Sequence, residues 1–371
     1  MDKHFDPNPR PDETLKEETR ARAIRIANAV AFPMALKAAF QLGVIQTLSA
    51  AGEGAWLSPS DIARALPTRP TNPQAPMLLD RMLRVLTSYE IVKCRTGMVQ
   101  AGETGPVYAA DPVCRFFLNA DGESGSLEPL FMLLHCDVVF KAWNNLKDMI
   151  QDGRDAFISA HGTRFFEYEG TNYEGFGELF NRAMSESTVM NVKNVLEVYR
   201  GFEDVNVLVD VGGGIGTGLA IIISKYSKIK GINFDLAGVL ANAPPHPGVE
   251  HVVGDMFVDI PKGDAIFMNR ILHSWTDEDC LKILENCRKA LTDTGKVIMM
   301  ELVSPDRPGR DVYSNIILDY DMLMLSQCSG AKERTKAEFE ELAFGSGFIH
   351  CEFVCCSSPY WVIEFRKEAN A

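Results

Sequence analysis

Several features that would place this chain in other classes of protein are missing. The 371 residues include 37 Lys and Arg against 50 Asp and Glu, and this net charge of -13 argues against a general nucleic-acid-binding role. No run approaches the roughly 18 apolar residues of a membrane span. The charged segment 1–22 has no apolar core of the kind found in a signal peptide. We therefore expect a cytoplasmic protein that neither inserts into membranes nor binds DNA.

The cysteines argue against both a disulfide scaffold and a zinc site. There are nine, with one adjacent pair at Cys355 and Cys356, no Cys-x-x-Cys spacing and no histidine at metal-ligand spacing. An odd number of cysteines in a long chain is typical of reduced thiols in the cytosol. We predict that the protein binds no metal.

The most informative stretch that is present is the segment 205–218. It opens with an apolar, β-branched run that predicts a buried strand, and an apolar helical segment follows at 219–223. Between them lie the glycines Gly212, Gly213, Gly214, Gly216 and Gly218. A strand, a glycine turn and a helix form the first unit of a parallel α/β sheet that binds a nucleotide-like ligand.

The spacing of these glycines limits which class of nucleotide-like ligand the turn can bind. A dinucleotide-binding turn needs glycines at positions i, i+2 and i+5, but the third position here is Thr217 or Leu219, depending on the register. The pattern that fits is an acid followed by three alternate glycines, starting at Asp210. It is similar to the cofactor loop of methyltransferases that use S-adenosylmethionine. A glycine-rich turn without a ligand is the alternative.

Downstream of the turn, predicted strands and helices alternate. The strands are predicted at 229–236, 249–253, 265–268, 297–300 and 361–365, and the helices at 277–291 and 335–345. The alternation predicts an α/β fold with a doubly wound, Rossmann-like sheet, whose site lies at the carboxyl ends of the strands. We expect the final strand, 361–365, to lie at an edge of the sheet.

The N-terminal part predicts a separate, mainly helical module. An apolar helical pattern begins near residue 21 and is interrupted by Pro33, a helix start follows at Ser58, and a second helix is predicted at 77–86. A hairpin is predicted after it, which completes a winged-helix order of elements. DNA binding is the usual role of that layout, but the acidic chain argues against it, and the apolar helical face is equally consistent with a core helix or a dimer interface.

Acidic residues end two of the predicted strands. Asp235 lies about 20 residues after the glycines, where an acid binds ribose hydroxyls in nucleotide-binding α/β folds. Asp255 and Met256 end the next strand, where an acid meets an adenine amino group and a methionine covers the ring. The alternative is that they are surface residues at strand tips.

A histidine and two glutamates also lie after predicted strands or before a predicted helix, as candidate site residues do in such a sheet. His273 follows the strand 265–268, Glu301 ends the strand 297–300, and Glu333 precedes the helix 335–345. A carboxylate near an imidazole orients the ring and raises its pKa. A purely structural histidine, and a Glu333 that caps the helix, are the alternatives.

From about residue 21 to residue 365, the chain resembles the plant small-molecule O-methyltransferases of the caffeic acid type. The segments that carry the resemblance are 75–86, 208–214, 230–236, 247–257 and 330–335. It implies a homodimer that uses S-adenosylmethionine without a metal. We divide the chain into a flexible N-terminus at 1–20, a winged-helix-like dimerisation domain at 21–120, a helical connector lining the substrate cleft at 121–200, and an S-adenosylmethionine-binding catalytic domain at 201–371.

The resemblance also implies roles for particular residues. The general base falls on His273, flanked by Glu301 and Glu333. The positions that contact the cofactor are Gly212, Asp235, Leu236, Asp255, Met256 and Asn269. The positions that line the substrate cleft are Phe176, Phe180, Met184, Ser187, Leu323, Met324 and Cys328.

Four positions depart from the family pattern. Asn269 replaces a lysine that reaches the cofactor, and Ser274 replaces an aspartate after the histidine. In the cleft, Ser187 replaces a histidine and Cys328 an asparagine. Because those polar residues meet the tail of lignin precursors, we expect a bulkier or more apolar phenolic acceptor.

The sequence therefore predicts an S-adenosylmethionine-dependent O-methyltransferase that acts on a phenolic plant metabolite. N-methylation of an aromatic amine on the same fold is one alternative, and it depends less on a base. A winged-helix regulator with a vestigial cofactor site is the alternative from another class, and both the net charge and the retained His273 argue against it.

Overall fold

The computed structural model describes residues 11–100, 103–170, 175–241, 243–357 and 359–367. The chain forms two compact units, Met1–Leu118 and Asn119–Ala371. Of the segment 1–20, which we predict to be flexible, residues 1–10 lie outside the described residues, and residues 11–20 belong to a helix.

The first unit is mainly helical and ends in an antiparallel hairpin. Its elements are α1 (Pro11–Ala27), α2 (Ala31–Leu42), α3 (Val44–Ala50), α4 (Pro59–Ala65), α5 (Ala75–Ser88), β1 (Val92–Gln100), β2 (Glu103–Ala110) and a 3₁₀ helix at Pro112–Phe117. Leu57 pairs with Tyr108 through backbone hydrogen bonds of 2.9 and 2.8 Å and widens the hairpin. This is the helix, helix, hairpin order that the sequence predicts.

The predicted helix start at Ser58 is confirmed, whereas the predicted interruption at Pro33 is wrong, because the break lies at 28–30 and Pro33 belongs to α2. Ser58 and Asp61 form a reciprocal capping box at the start of α4. The backbone N–H of Ser58 donates to the carboxylate of Asp61, and the backbone N–H of Asp61 donates to the hydroxyl of Ser58, both at 3.1 Å. The apolar N-terminal pattern is split by a turn at 28–30, and Pro33 lies in the first turn of α2, where a missing N–H costs little. In the described residues no single helix is long and apolar enough to cross a membrane, and α1 and α2 meet those criteria only as a pair bent by 45°.

The second unit contains a seven-stranded mixed sheet with the order β5-β4-β3-β6-β7-β9-β8. The strands are β3 (Val207–Val211), β4 (Lys230–Asp235), β5 (Val249–Val253), β6 (Gly263–Asn269), β7 (Leu291–Leu302), β8 (His350–Ser357) and β9 (Tyr360–Arg366). The first five in the spatial order are parallel, whereas β9 is antiparallel to both β7 and β8. The doubly wound α/β prediction is confirmed.

The prediction that the last strand lies at an edge is wrong. β9 is paired on both sides, with Ile363 opposite Met299 of β7 and Phe353 of β8, and Ile363 is fully buried. The edge strand on this side of the sheet is β8, which the sequence pattern does not predict. Its residues alternate between half-buried and exposed, and it mixes cysteine with acidic and aromatic side chains, so its apolar periodicity is weak.

Helices precede the first strand of the sheet, alternate with the later strands and cover both faces. They are α6 (Glu128–Leu134), α7 (Asp137–Trp143), α8 (Leu146–Asp152), α9 (Ala156–His161), α10 (Phe165–Gly170), α11 (Phe176–Val198), α12 (Thr217–Lys225), α13 (Ala237–Leu240), α14 (Asp277–Ala290), α15 (Val312–Gln327) and α16 (Lys336–Gly345), with a 3₁₀ turn at Leu272–Ser274. The strand order reverses at β3, between β4 and β6. Ligands bind in the crevice that such a reversal opens at the carboxyl ends of the strands.

Candidate active site

The glycine turn after β3 forms a backbone cradle at that reversal. Gly212 and Gly214 have φ values of 68° and 60°, which are left-handed conformations that favour glycine. A Cβ added at Gly214 would meet nothing within 4 Å, so this part of the turn is open to a ligand. A Cβ at Gly213 would lie 2.1 Å from Oδ1 of Asn233, so the turn packs tightly on its other side. The sequence therefore folds into a bare backbone surface beside a cavity.

A cavity of about 400 Å³ lies against this turn. The predicted cofactor and catalytic residues that line it are Gly212, Asp235, Leu236, Asp255, Met256, Asn269 and His273. The predicted substrate residues that line it are Phe180, Met184, Leu323, Met324 and Cys328. Phe176 and Ser187 are not among the lining residues: Phe176 packs edge-on against Phe165 at 5.8 Å, and Ser187 is buried on α11.

The ends of β4 and β5 present acids to the cavity. Asp235 accepts hydrogen bonds from the backbone N–H groups of Gly214 at 2.8 Å and Leu236 at 2.7 Å. Burial raises the pKa of Asp235, and these two hydrogen bonds oppose the rise. Asp255 is exposed, and its Oδ1 accepts from the N–H of Phe257 at 2.8 Å. Each carboxylate keeps unused acceptor capacity for ligand hydroxyl or amino groups.

This arrangement fits S-adenosylmethionine. The open cradle at Gly214 admits a close approach of the ligand to the backbone, and Asp235 has the strand-end position from which an acid binds ribose. Beneath the turn, burial and the nearby charge of Asp235 raise the pKa of Asp210 to about 8. Asp235 and Asp255 line the cavity and have acceptor oxygens for ligand groups.

His273 lies in the 3₁₀ turn after β6 and is paired with a buried glutamate. Its Nδ1 is 2.8 Å from Oε1 of Glu333, and the two side chains are 12% and 1% exposed. No described residue hydrogen-bonds to Nε2. Glu301 is fully buried, and its Oε1 accepts from the backbone N–H groups of Ile271 and Leu272, both at 2.9 Å. Glu333 therefore orients the ring, and Glu301 holds the turn that carries it.

The two glutamates determine the charge properties of the imidazole. Burial alone lowers the pKa of His273, but the charge and hydrogen bond of Glu333, together with the charge of Glu301, outweigh burial and raise the pKa above its ordinary value. Burial raises the pKa of Glu301, and the charge of His273 opposes that rise. Ligand atoms of these three residues also lie within 4.8 Å of one another, a spacing that a metal ion could use. Oε1 of Glu333 is engaged by the imidazole and Oε1 of Glu301 by two amides, whereas Oε2 of each glutamate is buried without a partner among the described residues.

A buried arginine that we did not single out from the sequence holds the same turn. Arg334 is 1% exposed and donates to the carbonyls of Leu272 at 2.6 Å and Trp275 at 2.8 Å, and it forms an ion pair with Asp277 at 2.8 Å. The signals in the sequence were its position next to Glu333 and its place in the segment 330–335, which carries the family resemblance. The alternative that Glu333 caps the following helix is wrong, because Thr335 begins the capping box of α16.

Asn269, the residue that stands in place of the family lysine, is tied to α11. Its Nδ2 donates to Oγ1 of Thr188 at 3.3 Å, and its Oδ1 is buried without a partner among the described residues. Both Asn269 and Thr188 line the cavity. An unpaired buried acceptor is costly, so Asn269 is an unsatisfied polar group beside the cavity.

Together, the sheet order, the open glycine turn and the cavity between strand-end acids and an anchored histidine define an S-adenosylmethionine-dependent methyltransferase. The profile of the O-methyltransferase domain matches residues 143–349, and that of the O-methyltransferase dimerisation domain matches residues 24–120. The chain belongs to the O-methyltransferase family. The resemblance seen in the sequence is thereby confirmed, as is its prediction of an S-adenosylmethionine-dependent O-methyltransferase.

The relatives agree with this assignment over nearly their whole length. Indole glucosinolate O-methyltransferase 4 of Arabidopsis thaliana is 55% identical over 350 residues, which cover 93% of this chain and 92% of the relative. Caffeic acid 3-O-methyltransferase of Clarkia breweri is 46% identical and covers 97% of each chain. The crystal structure of human N-acetylserotonin methyltransferase in complex with SAM shares the fold, with a TM-score of 0.78 at 22% identity over 98% of this chain and 100% of that one.

Proposed function

We propose that the protein methylates a hydroxyl group on an aromatic ring of a plant specialised metabolite, with His273 as the general base. The observation that carries the proposal is the pairing of Nδ1 with Glu333, which leaves Nε2 as the free ring nitrogen in a cavity shared with the glycine cradle. S-adenosylmethionine supplies an electrophilic methyl group on a sulfonium sulfur.

The chemistry assigns a distinct task to each residue. A phenol titrates near 10 and an imidazole near 6.5, so complete deprotonation before reaction would be unfavourable. Nε2 of His273 therefore accepts the hydroxyl proton as the oxygen–methyl bond forms and the sulfur–methyl bond breaks. The ring becomes a cation, and the carboxylate of Glu333 stabilises that charge through Nδ1–H. The turn held by Glu301 and Arg334 fixes the position of the base.

The walls of the cavity support a large, mainly apolar acceptor. Phe180, Met184, Leu323 and Met324 line it together with Phe165 and Phe166 of α10. Cys328, which lines the cavity, replaces a polar side chain that the family resemblance leads us to expect there, whereas Ser187 is buried on α11 and does not line it. The related proteins are named for indole glucosinolate, bergaptol and caffeic acid as acceptors, which supports an aromatic hydroxyl compound, a phenol or a hydroxyindole, for this chain.

The family assignment also bears on the alternatives. Relatives named as O-methyltransferases support an oxygen acceptor over an aromatic amine, and an enzyme over a DNA-binding regulator.

We further propose that the protein is a homodimer. Its dimerisation domain and the exposed apolar side chains of Ile24, Ile26, Val30 and Leu42 support this proposal. Light scattering after gel filtration would give a mass near 41 kDa if this proposal is wrong.

A screen of phenols, hydroxyindoles and the matching aromatic amines with methyl-labelled cofactor tests the reaction. We expect label on an aromatic oxygen, located by mass spectrometry, and its loss in the variant His273→Gln. Label on nitrogen alone, or equal transfer by the variant, would contradict the proposal.

A further inference from the structure

One cation in the cleft has no part in the mechanism above. Arg270 lines the cavity directly after β6, between Asn269 and the turn that carries His273. Its φ is 56°, and the only other described non-glycine residue with a positive φ is Glu90. Such a conformation costs free energy for an arginine and is concentrated at functional sites.

The contacts of Arg270 leave its charge uncompensated. Nη2 donates to the hydroxyls of Ser187 and Thr188 on α11, both at 3.2 Å, and these are neutral groups. Nε is buried without a partner among the described residues, and none of them forms an ion pair with this side chain. A partly buried guanidinium is normally paired with an anion, because a desolvated charge is costly.

The carboxylates in the same region hydrogen-bond to groups other than Arg270, although Oε2 of Glu301 and Oε2 of Glu333 are buried without a partner among the described residues. Glu333 pairs with His273, and Glu301 accepts from two backbone amides. Asp235 accepts from two amides at the glycine turn. Arg270 also interacts with the phenols Tyr320 and Tyr360 and electrostatically with the imidazole of His273. Because no described carboxylate forms an ion pair with the guanidinium, a ligand is the source of an anion that could pair with it.

We propose that Arg270 binds an anionic group, a carboxylate or a sulfate, on the acceptor and so selects acceptors that combine an aromatic hydroxyl with a remote negative charge. This rests on the proposed function. The guanidinium is held by Ser187, whose hydroxyl donates to the carbonyl of Met184 at 3.1 Å, and Met184 lines the acceptor wall. A guanidinium presents parallel N–H donors that match a carboxylate or sulfate.

The test compares each acid with its own amide. The probes are 5-hydroxyindole-3-acetate and 4-hydroxyphenylacetate, each with its neutral primary amide, and the measured quantity is the acid-to-amide ratio of kcat/KM. We expect the protein to favour the acids at least about tenfold, and Arg270→Met to lower that ratio about tenfold or more. Arg270→Lys should keep part of the preference, because the charge remains although the bidentate geometry is lost. Arg288→Met, which removes an exposed arginine of α14, is the matched control and should leave the ratio unchanged.

The outcomes separate this proposal from its rivals. An acid-to-amide ratio that is equal in the protein and in Arg270→Met overturns it. The carboxylate of the cofactor is the other source of an anion, and it is identified if Arg270→Met weakens calorimetric binding of S-adenosylhomocysteine tenfold while the ratio stays the same. If no hydroxyl is methylated, the proposed function fails, and the same acids and amides are then compared by calorimetric binding in the presence of S-adenosylhomocysteine. Equal affinities of acid and amide would overturn the role of Arg270 in that case.

Discussion

The two halves of the cavity are built in different ways. The half that we propose for the cofactor, the cofactor half, consists of strand ends and a glycine turn, where backbone groups and a few acids, such as Asp235, face the cavity. The half that we propose for the acceptor, the acceptor half, consists of side chains from α6, α7, α10, α11 and α15, which are far apart in the sequence. A cofactor surface made of backbone tolerates little change, whereas a wall of side chains can change residue by residue. This difference explains how one reaction can be directed to different acceptors on one scaffold.

The largest effect should come from the residue between the two halves. His273→Gln removes the base but leaves a side chain that can still hydrogen-bond to Glu333, so we expect kcat to fall at least about a hundredfold. Calorimetric affinity for S-adenosylhomocysteine should stay within about twofold, because the cofactor half is intact. Near-normal turnover in this variant would remove His273 from the mechanism.

A change in the cofactor half should show the opposite pattern. Asp235→Ala removes the acceptor at the end of β4, and hydrogen bonds to a charged group contribute about 1.5–3 kcal/mol, so S-adenosylhomocysteine should bind about ten- to a hundredfold more weakly. Asp259→Ala removes an exposed acid on the loop after β5 and is the matched control. Equal affinities in the two variants would mean that Asp235 serves only to hold the N–H of Gly214.

The same difference decides what could be predicted from the sequence. The cofactor positions can be predicted from the sequence because the carboxyl ends of parallel strands lie at one edge of the sheet. A residue that directly follows a predicted strand is therefore expected at that edge. Asp235, Asp255 and His273 were all identified by that argument, and all three line the cavity.

Residues whose positions depend on tertiary packing were not predictable in this way. Arg334 is 62 residues from Leu272, and nothing local indicates that it holds the turn of His273. Arg270 follows an ordinary strand, and the sequence does not predict its hydrogen bond to Ser187 on α11, which holds the guanidinium beside the cavity. The edge strand β8 was missed because its apolar period is weak, although pairing with β9 stabilises it.

The pH dependence of the reaction tests the coupling between His273 and its two glutamates. The neutral imidazole is the active form, so kcat/KM should fall about tenfold for each pH unit below the pKa of His273. Because the glutamates raise that pKa, the acid limb should lie above the ordinary value of about 6.5. Glu333→Gln removes one negative charge and should move the limb to lower pH. A limb that stays in place would show that another group limits the profile.

A change in the acceptor half should be smaller and confined to the acceptor. Phe180→Ala removes a ring that lines the cavity and packs against Phe165 at 5.5 Å. Aromatic contacts of this kind contribute about 0.5–1.5 kcal/mol, so the acceptor KM should rise about two- to tenfold with unchanged affinity for S-adenosylhomocysteine. Phe344→Ala, at an exposed position on α16, is the control. Equal weakening of cofactor binding would show that the two halves are not independent.

The smallest effect should come from Asn269, where the cofactor half departs from its family. Oδ1 of Asn269 is buried without a partner, and Nδ2 makes one hydrogen bond of 3.3 Å to Thr188. Asn269→Lys restores an ammonium group that can donate to Thr188 and to the cofactor, but burying that charge offsets part of the gain. We therefore expect S-adenosylhomocysteine to bind only about threefold more tightly by calorimetry, with Asn269→Met as the uncharged control. Weaker binding by the lysine variant would mean that Oδ1 is itself a cofactor acceptor, and that the departure from the family is an adaptation of the cofactor half.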